Sequence, residues 1–178
     1  MRKIILLFLA LSMTGSVWAQ REDPLDLNIK LDIIEQYGVP TVSGVERQGV
    51  ISDSLYNAKD WGNAADALLV SAIQANLVAN LLAQCGEPYY SASEESRRID
   101  YQRNMSDRPI IPYIEKSNEL KRDRNAAIVK IGICYKELGD NTKAIAYLYK
   151  GLDLLSLEEL EYWEIAREAI AEIVGFKP

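Results

Sequence analysis

The stretch Asn125-Ala-Ala-Ile-Val-Lys-Ile-Gly-Ile-Cys-Tyr-Lys-Glu-Leu-Gly-Asp140-Asn-Thr-Lys-Ala-Ile-Ala-Tyr-Leu-Tyr-Lys-Gly-Leu-Asp-Leu-Leu-Ser156 decides the fold. It holds two amphipathic segments on either side of Gly139-Asp140. Apolar residues recur every three or four positions in each, which is the period of a helix with one buried face. Gly139 ends the first segment because glycine enters the left-handed conformation without a steric penalty. Gly132, Ala144 and Gly151 put small side chains where the two helices have to touch. The reading is an antiparallel helical hairpin with close backbone approach.

Working outward, Ser156-Leu157-Glu158-Glu159 is a capping box that opens a last helix, with Leu160, Trp163, Ala166, Ile170 and Ile173 inward and Gly175 closing it. Upstream, Ile111 to Leu138 reads as one long helix on the stripe Ile111, Ile114, Leu120, Ile128, Ile131, Tyr135 and Leu138. The segment from Tyr89 to Pro109 is polar and rich in turn residues, and reads as a connector with one short helix. Before it, Asn63 to Gln84 is an Ala- and Leu-rich helix stopped by Gly86 and Pro88. Thr41 to Asn57 is a further helix, with Val45, Ile51, Leu55 and Ala58 inward. Leu25 to Ile33 alternates like a strand, yet Leu27, Leu31 and Ile34 also form a helical stripe that stops at Gly38 and Pro40. A lone strand would lack a partner, so helix is favoured.

With these residues in view, the chain resembles the tetratricopeptide repeat (TPR) family. Ile128, Ile131-Gly132 and Tyr135 match the first helix of the repeat, Gly139-Asp140 its turn, and Ala144, Leu148 and Gly151 its second helix. Ser156 replaces the closing proline of the family pattern. A degenerate copy lies eighty residues upstream in Ile51-Ser52, Leu55, Asp60-Trp61, Ala64 and Leu68, with Lys59 in place of the turn glycine. The resemblance implies an all-α fold of antiparallel hairpins in a right-handed stack, with an irregular insertion and a C-terminal capping helix. The expected units are a degenerate repeat at about 45–78, a connector at about 85–110, a clear repeat at about 125–158 and a capping helix at about 157–174.

The N-terminus reads as a leader. Arg2 and Lys3 precede the short apolar run Ile4 to Leu11, and Val17-Trp18-Ala19 offers a cleavage point. Residues 1–19 are therefore expected to be a signal peptide, and 20–178 a single domain. The run is shorter than the roughly 20 apolar residues needed to cross a bilayer. No later stretch reads as long and apolar enough to span one, so no stable membrane insertion is expected after cleavage. Localisation is expected to be exported: the periplasm, or else extracellular. Losing Arg2 and Lys3 takes 20 basic residues to about 18 against 26 acidic ones, a net charge near −8. Nucleic acid is not an expected partner of so acidic a chain.

Cys85 and Cys134 are the two cysteines, and they either form one disulfide or are separate small core residues. Histidine is absent, which removes the commonest metal ligand and general base. Phosphate-binding glycine loops, nucleophile elbows and zinc spacings are also missing. The expectation is a chain that is not an enzyme, with no cofactor and no metal.

Three candidate surfaces remain. The resemblance places Ala126, Val129, Ile133 and Lys136 on the inner, partner-binding face of the clear repeat. Val129 and Ile133 stand where family members that grip a carboxylate carry Lys and Asn. They suit an apolar peptide, or they pack internally. The cations Lys116, Lys121, Arg122, Arg124 and Lys130 could receive an acidic partner, although such runs are more often a solvated helix face. Tyr89, Tyr90 and Tyr101, with Arg97 and Arg98, are of the residue types that anchor interfaces. The expected function is a protein- or peptide-binding scaffold, or an accessory subunit, in the bacterial cell envelope. The alternatives are a carboxylate-dependent enzyme on a helical fold and a small self-associating structural domain.

Overall fold

The computed structural model describes residues 34–35, 38–87, 92–103 and 110–177, the side chains of 99–103 excepted. The leader, the Leu25–Ile33 segment and Tyr89-Tyr90 lie outside them. The fold is all-α. Six helices occur in the described residues: α1 (Val42–Asn57), α2 (Trp61–Cys85), α3 (Glu94–Arg103), α4 (Ile111–Glu137), α5 (Asn141–Leu154) and α6 (Leu160–Ile173). A 3-10 turn, Leu157–Glu159, leads into α6.

Several helix starts have a local reason. The Thr41 hydroxyl accepts from the Gly44 amide at the start of α1, and Asp140 accepts from the Lys143 amide at the start of α5. The capping box is formed: Ser156 accepts from Glu158 N–H, while the Glu159 carboxylate accepts from Ser156 N–H at 2.9 Å. Pro112 sits in the first turn of α4, where its missing N–H costs nothing.

α1 pairs with α2 and α4 pairs with α5, each as an antiparallel hairpin. The two hairpins join through α2 and α4, whose mutual interface is the most extensive in the molecule. α6 then covers α5 and the C-terminal half of α4. α3 shares no extended interface with another helix among the described residues.

The turns of the two hairpins are alike in detail. Lys59 N–H bonds Tyr56 C=O and Gly139 N–H bonds Lys136 C=O. Asp60 N–H reaches Leu55 C=O as Asp140 N–H reaches Tyr135 C=O, and Ala64 bonds Asp60 as Ala144 bonds Asp140. Every equivalent pair is eighty residues apart. Both turns pass through the left-handed region, at φ +59° for Lys59 and +78° for Gly139. Lysine carries a steric cost there that glycine does not.

Packing within the α4–α5 hairpin is interlocked. A Cβ on Gly132 would lie 2.6 Å from Leu148 Cγ, and one on Gly151 would lie 2.7 Å from Val129 Cγ2. Ala144 and Leu148 are fully buried, as are Ala64 and Leu68 at the matching positions of α2.

Several expectations are corrected. Ile51 is 54% exposed and Ser52 is the buried member of that pair. Ile51 lines a shallow cleft with Val39 and with Gln74 of α2. Ala58, Leu138 and Leu160 are likewise exposed. α2 is long and apolar enough, by length and composition, to cross a membrane, contrary to the sequence reading. Half of its most apolar window is buried in the fold, between α1 and α4. Cys85 and Cys134 are both free thiols. Cys134 packs with Ala64, Ala65 and Leu68 near the start of α2, while Cys85 ends that helix, exposed and about 30 Å along its axis. A disulfide needs Cα atoms within about 7 Å. Burial pushes the Cys134 thiol up to about 11.

Candidate functional site

The face of the stack formed by α1 and α4 carries a groove of about 290 Å³. α1 contributes Glu46, Gly49, Ser52 and Asp53 to its wall; α4 contributes Asp123, Ala126, Ala127 and Lys130. Leu68 and Ser71 of α2 form the floor, and Tyr162 of α6 closes one side. The helices deliver these residues at the spacing i, i+3, i+4 and i+7, so one stripe of each faces the groove.

Small residues on α1 and α2 make the space. Gly49, Ser52 and Ser71 fall eighty residues before Val129, Gly132 and Gly151, the positions that interlock in the second hairpin. No atom lies within 4 Å of a Cβ built on Gly49. Ser52, though buried, is satisfied by donating to Gly49 C=O at 2.9 Å.

Charge lines the groove in both signs. Lys130 Nζ donates to Asp53 Oδ1 at 2.7 Å across it, and stands 5.7 Å from the Tyr56 ring centre. Lys116 bridges Glu46 at 2.9 Å and Glu119 at 2.8 Å near one end. The hydrogen bonds to Glu119 and then Glu46 hold its ammonium above the ordinary lysine range. Asp123, exposed on the rim, is raised above the usual carboxylate range by partial desolvation first and then by the Glu119 charge. Three carboxylates thus share the groove with Tyr162, while neither Trp61 nor Trp163 lines it.

The structure divides the residues that the sequence brought together. Ala126 lines the groove. Val129 does not: it is fully buried against α5 and α6, in the cluster of Leu148, Leu155, Ala166 and Ala169. Ile133 packs on the same cluster. Lys136 pairs with Glu172 of α6, which raises its ammonium above the ordinary lysine range. The expected inner face is therefore turned toward α5 and α6, and the groove-facing stripe of α4 is Asp123, Ala126 and Lys130.

The five cations do not form one face. Arg122 is half-exposed, 3.7 Å from Glu158. It lines a second cleft, of about 480 Å³, with Lys121, Asn118 and Leu157. Arg124 is only 4% exposed. Its Nη1 donates to Asn76 Oδ1 at 2.8 Å, and its Nε and Nη2 both donate to Asn125 Oδ1 at 3.0 and 2.8 Å. Asn125 Nδ2 donates in turn to Leu154 C=O at 2.9 Å and toward the Glu159 carboxylate at 3.3 Å. Burial lowers the Arg124 pKa and the Glu159 charge partly offsets this. This buried chain ties α2, α4, the end of α5 and the capping box into one unit. The sequence reading missed it because Arg124 stands among four exposed or rim cations, and nothing local marks Asn76.

Arg97 and Arg98 lie on α3, where Arg98 pairs with Glu95 at 2.9 Å on the surface. Among the described residues no cluster of three Cys, Asp or Glu residues is arranged to hold a metal ion. No family model, curated protein or solved structure matches this chain.

Proposed function

We propose that the chain is a TPR-like, non-catalytic scaffold or accessory subunit of the bacterial cell envelope that binds a protein or peptide in the α1–α4 groove. The observation that carries this reading is the eighty-residue repetition of the hairpin turn, hydrogen bond for hydrogen bond. Stacked helical hairpins expose a continuous face of first helices, and that face is where an array of this kind receives a partner. The paired but accessible charges of Lys130, Asp53, Lys116 and Glu46 suit a ligand that carries both signs. The leader-like first nineteen residues support export.

The test is capture from a bacterial envelope extract with the wild-type chain and with a groove variant, Ala126→Arg/Lys130→Glu. The expected result is a reproducible set of proteins on the wild type that falls at least about fivefold on the variant, with helical content by circular dichroism unchanged. No reproducible partner, or an identical set on both, would overturn the reading.

A further inference from the structure

α6 buries one face and leaves the other open. Trp163, Ala166, Ala169, Ile170 and Ile173 pack on α5 and α4. Beside that face α6 presents a largely open stripe, Leu160, Glu164, Arg167, Ala171 and Val174, and Leu157 precedes it in the 3-10 turn. Leu157 is 86% exposed, Leu160 59% and Val174 64%. From Leu160 to Val174 the spacing alternates four and three residues, which is the a/d seam of a helix that pairs with another helix. A shallow groove of about 700 Å³ runs beside this stripe, between it and Leu152 of α5.

The order of residues along the seam is palindromic in chemistry. From Leu160 to Ala171 it reads apolar, acid, base, apolar. Glu164 and Arg167 form no ion pair or hydrogen bond with any described residue. A second α6 laid antiparallel about a two-fold axis between these two residues would set Leu160 against Ala171 of the other copy. Glu164 would meet the other copy's Arg167, and the reverse pairs follow from the symmetry. A parallel pair would instead oppose Glu164 to Glu164 and Arg167 to Arg167.

We propose that α6 is a homodimerisation seam, which joins two copies of this chain antiparallel through Leu160, Glu164, Arg167 and Ala171, with Val174 at its edge. The occupant is a second copy because the seam is complementary to itself in both charge and hydropathy. A helix of this length spans only about 21 Å. The interface is accordingly at the small end of the range, and association falls at roughly micromolar concentration. The proposal does not depend on the ligand groove, whose lining includes none of these residues.

Sedimentation velocity of the purified chain from about 1 to about 500 µM tests it. The expected result is a reversible shift from monomer to twice the monomer mass. Arg167→Glu and Glu164→Arg, each alone, bring like charges together and should weaken dimerisation at least about tenfold. The double swap, Glu164→Arg/Arg167→Glu, restores both pairs and should return to within about threefold of wild type. Both residues are exposed in the monomer, so loss of fold does not account for the single variants, and helical content by circular dichroism checks this. A monomer at every concentration overturns the proposal. So does a double swap no better than the singles, or an unchanged dimer in Leu160→Asp.

Discussion

The hairpins α1–α2 and α4–α5 make the same turn with the same backbone hydrogen bonds, but they fill the space behind it differently. In α4–α5, Leu148 lies over Gly132 and Val129 over Gly151, so the two helices interlock through glycine. In α1–α2 the matching positions hold Leu68, Ser52, Gly49 and Ser71. Leu68 is still buried, but no large side chain stands where Val129 stands. The unfilled volume becomes the groove. The difference teaches that one repeated backbone can serve as a packed unit in one place and as an open wall in another. The choice turns on which side of a helix pair carries the large residue.

A second contrast concerns polar burial. Asn125 sits at the centre of the Arg124–Glu159 chain, and Val45 holds the equivalent place in α1. Replacing Asn125 by Val copies the first hairpin into the second. It strips the buried Arg124 of two of its three hydrogen bonds and Glu159 of its Asn125 partner. The expected loss is about 3 kcal/mol in urea unfolding. A loss under about 1 kcal/mol would mean that the network is not holding α6 in place.

The next contrast uses one substitution at two sites. Gly132→Ala forces a methyl to within 2.6 Å of Leu148 and should cost about 2 kcal/mol after any gain in helix propensity. Gly49→Ala meets nothing within 4 Å and should gain about 0.5–1 kcal/mol by propensity alone. Thermal unfolding of the two variants should therefore move in opposite directions. Movement in the same direction would contradict the distinction between interlocked and open hairpins.

The smallest expected effect is a pH dependence at the caps. Asp140 accepts from the Lys143 amide, and this, with the Lys143 ammonium, lowers its pKa below the usual carboxylate value. The Asp60 carboxylate, at the equivalent cap, accepts from no backbone amide and instead accepts from Asn63 Nδ2 at 2.8 Å. A lowered folded pKa means that the contribution of Asp140 is present above its unfolded value, near 3.8, and is lost as pH falls through the lower folded value. Asp140→Asn should flatten the acid limb of the stability curve slightly. The effect is read from unfolding midpoints between about pH 2 and 5.

What was legible in the sequence was local. Gly139 in its turn and Ser156 with Glu159 in the capping box are each specified by a few neighbours, so helix order could be read directly. The facing of α4 was not. Val129 and Ile133 are apolar, and whether such residues meet a ligand or α6 depends on where α6 lies. Arg124 misled for a related reason: a charged residue in a charged run looks solvated until Asn76, which is 48 residues away in the chain, supplies an acceptor. Ile51 failed because the stripe fixed a face of α1, while the apolar neighbour needed to cover it is not found among the described residues.

The most extensive helix interface, between α2 and α4, is also the one that no tight turn closes. Residues 86–110 join the two helices, and lengthening them costs loop-closure entropy. That term grows logarithmically, at about 0.6 kcal/mol for each doubling of length. The connector is thus a site where residues can be added at little thermodynamic expense, because α2 and α4 recognise each other through their side chains and not through the chain between them. Folding kinetics should feel the same separation. Each hairpin closes over a short turn, and docking of the two hairpins is the step that waits on the longer search.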